Sequence, residues 1–260
     1  ALHPANSGSL YVGTDVGVFA SQDDGATWST SNDGPANVTI DQLFFRDGRT
    51  LVAVTHGRGV WLFEPPHLTV VGVSNAGVQP FNGTFSPSIS GYGDLVAFAT
   101  FDSLEVGDSN GQTDVYVRDR AAGTTTRVSV ASDGTQGNSY SSDNEISADG
   151  RFVGFFSGAS NLVPGDNNGF ADIFVHDRQT GTTTRVSVAS DGSEGNGDVP
   201  LGPGISADGR KVSFCSAASN LVTGDNNSAQ DMFVHDRSTG NTTRVSVTSS
   251  GAEANGNSSG

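Results

Sequence analysis

The segment Asp172-Ile-Phe-Val-His-Asp-Arg178 decides the fold of this chain, because near-copies of it begin at Asp114 and Asp231. The spacings between the copies are 172 − 114 = 58 and 231 − 172 = 59 residues. Each copy continues into the same second segment, Thr-Thr-Arg-Val-Ser-Val, which begins at Thr125, Thr183 and Thr242. A repeat of this length is typical of one supersecondary unit stacked on copies of itself.

Each unit is predicted to contain four strands, because short β-branched and aromatic runs alternate with turns of Gly, Asn and Asp. In the clearest copy these are an inner strand near Glu145–Ser147, then Phe152–Ser157, Asp172–His176 and Thr183–Val188. Four antiparallel strands per unit form the blade of a β-propeller. The other two copies give Pro87–Ser90, Leu95–Thr100, Asp114–Val117 and Thr125–Val130, and Gly204–Ser206, Lys211–Ser216, Asp231–His235 and Thr242–Val247.

The region before these copies predicts two further blades in a different sequence style. One comprises Ile40–Phe45, Thr50–Thr55, Gly59–Phe63 and Leu68–Val73, and the other Leu10–Gly13, Gly17–Ser21 and Thr27–Ser29, with Ala1–Pro4 as its candidate inner strand. The predicted fold is therefore all-β, a β-propeller of about five four-stranded antiparallel blades in a closed ring or a partial arc. The predicted divisions are residues 1–64, 65–248 and 249–260, the last being a Gly/Asn/Ser-rich tail or the start of a further repeat.

Charge and composition exclude several classes of function. The 260 residues carry a net charge of −15, and Lys211 is the single lysine, so a phosphate backbone or an anionic membrane would meet no cationic face. No run of about 18 apolar residues is present to span a bilayer. The single cysteine, Cys215, is predicted to be a buried thiol. Because the chain begins at Ala1 without Met, we expect a part of a longer protein or a processed form.

The segment Ser21-Gln-Asp-Asp-Gly-Ala-Thr-Trp28 matches the Asp-box pattern Ser-x-Asp-x-Gly-x-Thr-Trp, so residues 1–64 resemble the blades of sialidase-like BNR propellers. The resemblance implies structural roles. Asp23 accepts backbone hydrogen bonds, Gly25 takes a positive φ, Thr27 completes the motif and Trp28 packs between sheets. In sialidases the Asp-box lies away from the catalytic centre, and the arginine triad and tyrosine nucleophile cannot be placed on this chain.

Residues 68–260 resemble the TolB-type, WD-like propeller repeats of bacterial secreted and envelope proteins. The residues that carry the resemblance are Ile146-Ser-Ala-Asp-Gly-Arg151, Ile205-Ser-Ala-Asp-Gly-Arg210 and the Asp-x-Phe-Val-x-Asp strands. The resemblance implies an extracellular, cell-surface or periplasmic protein that serves as an interaction surface, or a propeller in front of a peptidase. No segment shows the sustained helical period that would follow the serine of a nucleophile elbow, which argues against a hydrolase partner domain.

The extra length of the repeats lies in one loop, Ser157–Ala171 and its equivalents, which carries the pattern Asp-x-Asn-x-x-x-Asp. Oxygen side chains at the first, third and seventh positions are a candidate Ca²⁺ site. The same residues also suit Asx-turns and a strand-initiating Asp without any metal. The candidate ligands are Asp108, Asn110 and Asp114, then Asp166, Asn168 and Asp172, then Asp225, Asn227 and Asp231.

Other recurring polar residues predict structure rather than chemistry. His176 and His235 are predicted to be half-exposed strand residues, because Arg118 takes their place in the first copy. The Asp-Arg pairs that begin at Asp119, Asp177 and Asp236 suit turn capping with a surface ion pair. Arg127, Arg185 and Arg244 are predicted to pack their aliphatic stems along the sheet rather than to bind anions.

Three functions remain open. The first is a non-catalytic scaffold, adhesion or assembly module, because an active site needs one unique constellation and these polar motifs repeat. The second is a glycan-binding lectin or glycoside hydrolase, whose candidate residues are Glu64, Asp102, Glu105 and Glu194. The third is a segment of a repetitive surface fibre, with self-association into oligomers or filaments.

Overall fold

The computed structural model describes residues 10–21, 25–29, 38–46, 50–57, 59–64 and 67–258, with residues 63, 64 and 67–70 described by their backbone alone. The predicted strand Ala1–Pro4 and the Asp-box residue Asp23 lie outside the described residues. Within them the chain is all-β and has no helix, hence none long and apolar enough to cross a membrane.

The strands form one hairpin and four four-stranded antiparallel sheets, each built from strands consecutive in the chain. The hairpin is β1 (Leu10–Thr14) with β2 (Gly17–Ser21). The sheets are β3 (Ile40–Phe45), β4 (Leu51–Thr55), β5 (Gly59–Glu64) and β6 (His67–Val70); β7 (Phe85–Ile89), β8 (Leu95–Thr100), β9 (Asp114–Asp119) and β10 (Thr124–Arg127); β11 (Ser141–Ile146), β12 (Phe152–Ser157), β13 (Asp172–Asp177) and β14 (Thr182–Arg185); and β15 (Gly204–Ile205), β16 (Lys211–Ser216), β17 (Asp231–Asp236) and β18 (Asn241–Arg244).

The predicted fold class is confirmed, and the differences lie at strand ends. Thr27–Ser29 is not a strand, although the Ser29 amide donates to the Ala20 carbonyl at 2.8 Å. The fourth strands end at the arginine rather than after Val-Ser-Val. In the clearest copy the Ser187 hydroxyl accepts the Ile173 amide at 3.0 Å, so a side chain replaces the backbone acceptor and the chain leaves the sheet.

The core lies within and between neighbouring sheets. Inside two sheets, adjacent strands contribute stacked ring pairs, Phe155 with Phe174 at 5.9 Å and Phe214 with Phe233 at 5.8 Å between centroids. Between the third and fourth sheets, Ile173, Val175 and Val186 pack in one cluster with Val212, Phe214 and Leu221. Each sheet thus buries one face against the next.

Successive sheets are also joined by hydrogen bonds from a threonine on each fourth strand. The hydroxyl groups of Thr125, Thr183 and Thr242 donate to the carbonyl oxygens of Val73, Val130 and Val188, which begin the preceding connectors. The described sheets form an arc and do not close into a ring.

One face of the last described sheet carries exposed valines. Val245 is 49% exposed, whereas its equivalent Val186 is 1% exposed. Likewise Val247 is 41% exposed and its equivalent Val188 is 9% exposed. The connector that follows, up to Ser258, repeats the earlier connectors, since Val247 bridges Glu253 as Val188 bridges Glu194.

Candidate functional site

The three Asp/Asn loops lie at the same end of their blades, where the second strand ends and the third begins. In the second copy Asp172 is the first residue of β13, and Arg185 is the last residue of β14 on the neighbouring strand. The connector to the next sheet contributes Glu194 from the side. Strand pairing therefore brings residues from three segments of the sequence together.

The centre of this site is the guanidinium of Arg185. Its Nη1 lies 3.1 Å from Oδ1 of Asp166, 3.3 Å from Oδ2 of Asp172 and 2.5 Å from Oε1 of Glu194. The arginine side chain is 8% exposed. The expectation that this arginine packs its stem and binds no anion is wrong, because the sequence does not reveal which carboxylates surround its head group.

We call this arrangement the arginine cluster, and it recurs in all three copies. Arg127 contacts Asp108 at 3.1 Å and Asp114 at 3.4 Å, and its Nη1 donates to Gln136 at 3.2 Å. Glu105 adds a contact at 3.3 Å to Arg127 Nε. The third cluster has Arg244 at 3.3 Å from Asp225, 3.3 Å from Asp231 and 2.9 Å from Glu253.

The asparagine of each loop hydrogen-bonds to an aspartate of the arginine cluster. The amide nitrogen of Asn168 donates to Asp172 at 3.2 Å and to the Gly195 carbonyl at 3.2 Å, and its oxygen accepts the Phe170 amide at 3.0 Å. Asn110 and Asn227 make the corresponding bonds. This is an Asx-turn in which the oxygen faces the backbone.

The nine candidate metal ligands thus lie together in threes, but a guanidinium occupies the centre of each group. Ser187 donates to the second oxygen of Asp172 at 2.5 Å, as Ser129 and Ser246 do for Asp114 and Asp231. Among the described residues no three carboxylate, imidazole or thiol groups converge as a metal site. This donor set does not fit Ca²⁺ while the arginine stays in place, and the calcium site remains a prediction.

Burial controls the electrostatics of the clusters. Burial raises the pKa of Asp114, Asp172 and Asp225. Burial and the Asp172 carboxylate together raise the pKa of Asp166 to about 6. In the first cluster, burial raises the pKa of Tyr116, whose hydroxyl donates to Asp108. A carboxyl group that titrates near neutral pH beside another carboxylate can exchange protons, so the pair in the second cluster is the strongest chemical feature of the loops.

The histidines and the Asp-Arg turns differ from expectation. His176 and His235 are buried rather than half-exposed, and each Nδ1 lies 2.9 Å from a threonine hydroxyl, of Thr183 or Thr242. Asp177 pairs with Arg151 of the preceding hairpin at 2.9 and 2.7 Å, and not with its neighbour in sequence. These are long-range contacts that a local pattern does not encode.

The Asp-box residues are partly described. Gly25 has φ +87°, and its amide donates to the Ser21 hydroxyl at 2.9 Å. Trp28 is 39% exposed, so it is less buried than packing between sheets implies. The side chains considered for glycan chemistry do not form one group. Glu105 and Glu194 contact arginines of different blades, Asp102 binds Asn82, and the side chain of Glu64 lies outside the description.

No family model and no curated protein sequence matches the chain. Among solved structures, TolB from Acinetobacter baumannii is 19% identical with a TM-score of 0.47, covering 92% of this chain and 53% of that one, so this chain spans about half its length. A protein described as TolB from Agrobacterium tumefaciens is 14% identical with a TM-score of 0.51, covering 92% and 76%. The GH74 enzyme of Niastella koreensis is 18% identical with a TM-score of 0.48, covering 94% and 37%. Together with the repeated four-stranded sheets, the likeness to the Agrobacterium protein shows that this chain has a β-propeller fold.

Proposed function

We propose that the chain is a non-catalytic, TolB-like β-propeller module, extracellular, cell-surface or periplasmic, that serves in structure, adhesion or assembly. The observation that carries this proposal is the threefold recurrence of the arginine cluster. A catalytic site needs one set of groups at one place, whereas a structural element can be copied with each repeat. The Asp-box segment is proposed to be the BNR-type beginning of the same module.

The strongest argument for catalysis is the Asp166–Asp172 pair, and its surroundings favour a structural role. Arg185 Nη1 contacts both carboxylates, and both side chains are less than 5% exposed. A glycosidase acid and nucleophile must reach a sugar from opposite sides of its bond. Carboxylates that share one buried guanidinium are occupied by that contact instead.

The test for catalysis is an assay of reducing-end release from neutral polysaccharides and of sialic acid release from sialosides. We expect no product above the rate of a heat-denatured sample. Turnover that is lost in Asp166→Asn but kept in the solvent-exposed variant Asp191→Asn would overturn the non-catalytic assignment.

We further propose that assembly uses the face of the last described sheet that carries the exposed valines and that a second copy of this chain covers it. In the second and third sheets the equivalent valines are covered by a following blade, and Val186 is 1% exposed against 49% for Val245. The following connector also offers the Val247 carbonyl and Ser249, whose equivalents Val188 and Ser190 bond to Thr242. An apolar face flanked by such acceptors suits another β-blade.

Light scattering across a concentration series tests this assembly. We expect dimers or larger species for the natural chain, and monomers for the double variant Val245→Ser/Val247→Ser. The control is Val106→Ser, because Val106 is fully exposed in a loop of the second four-stranded sheet. A natural chain that stays monomeric over the whole series would overturn self-association and leave the catalytic test unaffected.

A further inference from the structure

The β3–β6 blade differs from the later repeats in the length of the loop between its second and third strands. Between β4 and β5 the loop has three residues, since 59 − 55 − 1 = 3, whereas between β12 and β13 it has fourteen, since 172 − 157 − 1 = 14. The long loop carries the aspartates of the arginine cluster. The described residues of the short hairpin, His56 and Gly57, supply no carboxylate, and a cleft lies between this hairpin and the connector that follows the β3–β6 blade.

The open space is a cleft of about 380 Å³, which we call the seam cleft. It is lined by Gly57, Gly72, Gln79, Pro80, Phe81, Asn82 and Gly83. None of these residues is charged, although the chain as a whole carries −15. Three polar or aromatic side chains beside three glycines are typical of a small ligand site, where a few polar groups orient the ligand.

Gln79 occupies the position that closes the arginine cluster in the other blades. It follows Val73 by six residues, as Gln136 follows Val130 and Glu194 follows Val188. The register is the same because the Ser74 amide donates to the Val78 carbonyl at 2.9 Å, as the Ala131 amide does to Thr135 at 2.8 Å. Strand β6, His67-Leu-Thr-Val70, has no arginine. The Gln79 amide therefore has no side chain to bind among the described residues.

A second polar side chain in this region, that of Thr84, also lacks a hydrogen-bond partner among the described residues. The Thr84 hydroxyl is buried, with 1% of the residue exposed, and has no hydrogen-bond partner among the described residues. Its equivalent, Ser141, bonds to Ser157 at 2.9 Å, and Ser157 also donates to the Tyr140 carbonyl at 2.9 Å. Here Thr100 makes only the second bond, to the Gly83 carbonyl. A β-carbon on Gly72, which lines the cleft, would lie 3.2 Å from the Thr84 hydroxyl, so that hydroxyl lies directly behind the glycine wall.

The rim of the cleft carries an exposed aromatic ring. Phe81 is 98% exposed, a rare state for a large apolar side chain. The next residue, Asn82, is held by Asp102, which accepts its backbone amide at 2.6 Å and its side-chain amide at 2.8 Å. Phe101 follows on the other side of this pair and is 55% exposed. Asn82 itself lines the cleft.

We propose that the seam cleft binds an uncharged saccharide. The apolar face of a sugar ring stacks on an exposed aromatic face, and its hydroxyl groups match amide groups that both donate and accept. Phe81 is the stacking platform, Gln79 and Asn82 bind hydroxyls, and the glycine wall admits the ring. The net charge of −15 disfavours anionic glycans. The inference goes beyond the proposed function, since neither a structural role nor self-association requires a ligand here.

The test is native affinity electrophoresis of the full chain in gels containing dextran, mixed-linkage β-glucan or galactomannan, with alginate as the anionic polymer. We expect retardation by at least one neutral polymer and none by alginate. Phe81→Ala and Gln79→Ala should each weaken the retardation constant about tenfold, the loss expected for one stacked ring or a comparable polar contact. The matched control is Tyr92→Ala, which removes another exposed ring from the turn between β7 and β8.

The outcomes separate the proposals. The saccharide site would be overturned if none of the three neutral polymers retarded the protein, or if alginate retarded it more strongly. It would also be overturned if Phe81→Ala and Tyr92→Ala were retarded equally. Phe81 is exposed, so its truncation should leave the melting temperature unchanged, and a circular dichroism melt checks this. Light scattering of the same variants should show the same oligomeric state as the natural chain, so failure of the cleft is distinct from failure of the assembly.

Discussion

The β3–β6 blade and the β11–β14 blade are followed by connectors of the same conformation. They differ at the end where the second strand leads into the third. Their connectors turn alike, because Gly77 donates to Ser74 at 2.9 Å and Gly134 and Gly192 make the corresponding bonds to Ala131 and Ala189 at 2.9 Å. One blade end is filled by an arginine with three carboxylates, and the other has a cleft whose described lining is uncharged. The two ends differ in the length of one loop and in the presence of one arginine.

The largest effect is expected from Arg185→Met, which removes the centre of one filled blade end. Asp166, Asp172 and Glu194 would lose their common partner while two of them stay buried, which should lower the free energy of unfolding by about 3–5 kcal/mol. Arg210→Met is the matched control, because Arg210 is 48% exposed in its pair with Asp236 and its loss should cost less than about 1 kcal/mol. Urea unfolding measures both, and equal losses would show that the arginine does not hold the loop.

The next effect tests the other blade end, through Gly83→Ala. Gly83 has φ +79°, and a β-carbon there would overlap the Gly57 carbonyl oxygen, so the connector lies directly on the short hairpin. Gly77 has φ +76° and open space around it, so Gly77→Ala isolates the backbone strain, about 1 kcal/mol. Overlap should add about 1–3 kcal/mol in Gly83→Ala. Indistinguishable melting temperatures for the two variants would mean that the connector does not contact the hairpin.

A smaller effect separates the arginine from the predicted calcium. With the guanidinium in place we expect millimolar Ca²⁺ or a chelator to leave the melting temperature of the natural chain unchanged. In Arg185→Gln the carboxylates are free, and calcium at ten times its dissociation constant should restore about 1.4 kcal/mol. A calcium-dependent rise in the natural chain that Asp172→Ala removes would instead establish the metal site.

The smallest effect concerns the two buried histidines, His176 and His235, of the last two repeats. Burial lowers the pKa of His176 and of His235 below the usual 6.5. The unfolded chain then binds more protons than the folded chain as pH falls below about 6.5, so stability is lost with falling pH. The variant His176→Gln/His235→Gln should lose less stability between neutral and mildly acid pH. Asp166 shifts stability in the opposite direction, but equally in both proteins.

The exposed His56 provides the control for that pH series. Its side chain is 83% exposed, so His56→Gln should follow the natural chain at every pH. If the double variant and the natural chain lost stability in parallel, the histidines would not be the titrating groups.

Much of the fold can be predicted from the local sequence pattern, whereas the contacts of the first arginine cluster cannot. Strands such as Phe152–Ser157 and Lys211–Ser216 match the predicted bounds, because alternation and turn residues are properties of adjacent positions. The aspartates of the loops were visible as a pattern as well. The local pattern predicts that their partner Arg127 packs its aliphatic stem along the sheet. However, the equivalent arginines follow one another at 58 and 59 residues, the same spacings as the aspartates. That shared period was the available signal.

The repeat, the strands and the all-β class can be predicted from the sequence, because each depends on residues close along the chain. The position of Arg185 between the carboxylates follows from the tertiary structure alone, since strands β13 and β14 bring Arg185 and Asp172 together across thirteen residues. The tertiary structure likewise decided that Gln79, the counterpart of Gln136 and Glu194, lines a cleft instead of closing an ion cluster. The physical reason is that charge pairing and open volume depend on which segments meet in space, and a neighbouring loop of three or fourteen residues changes both.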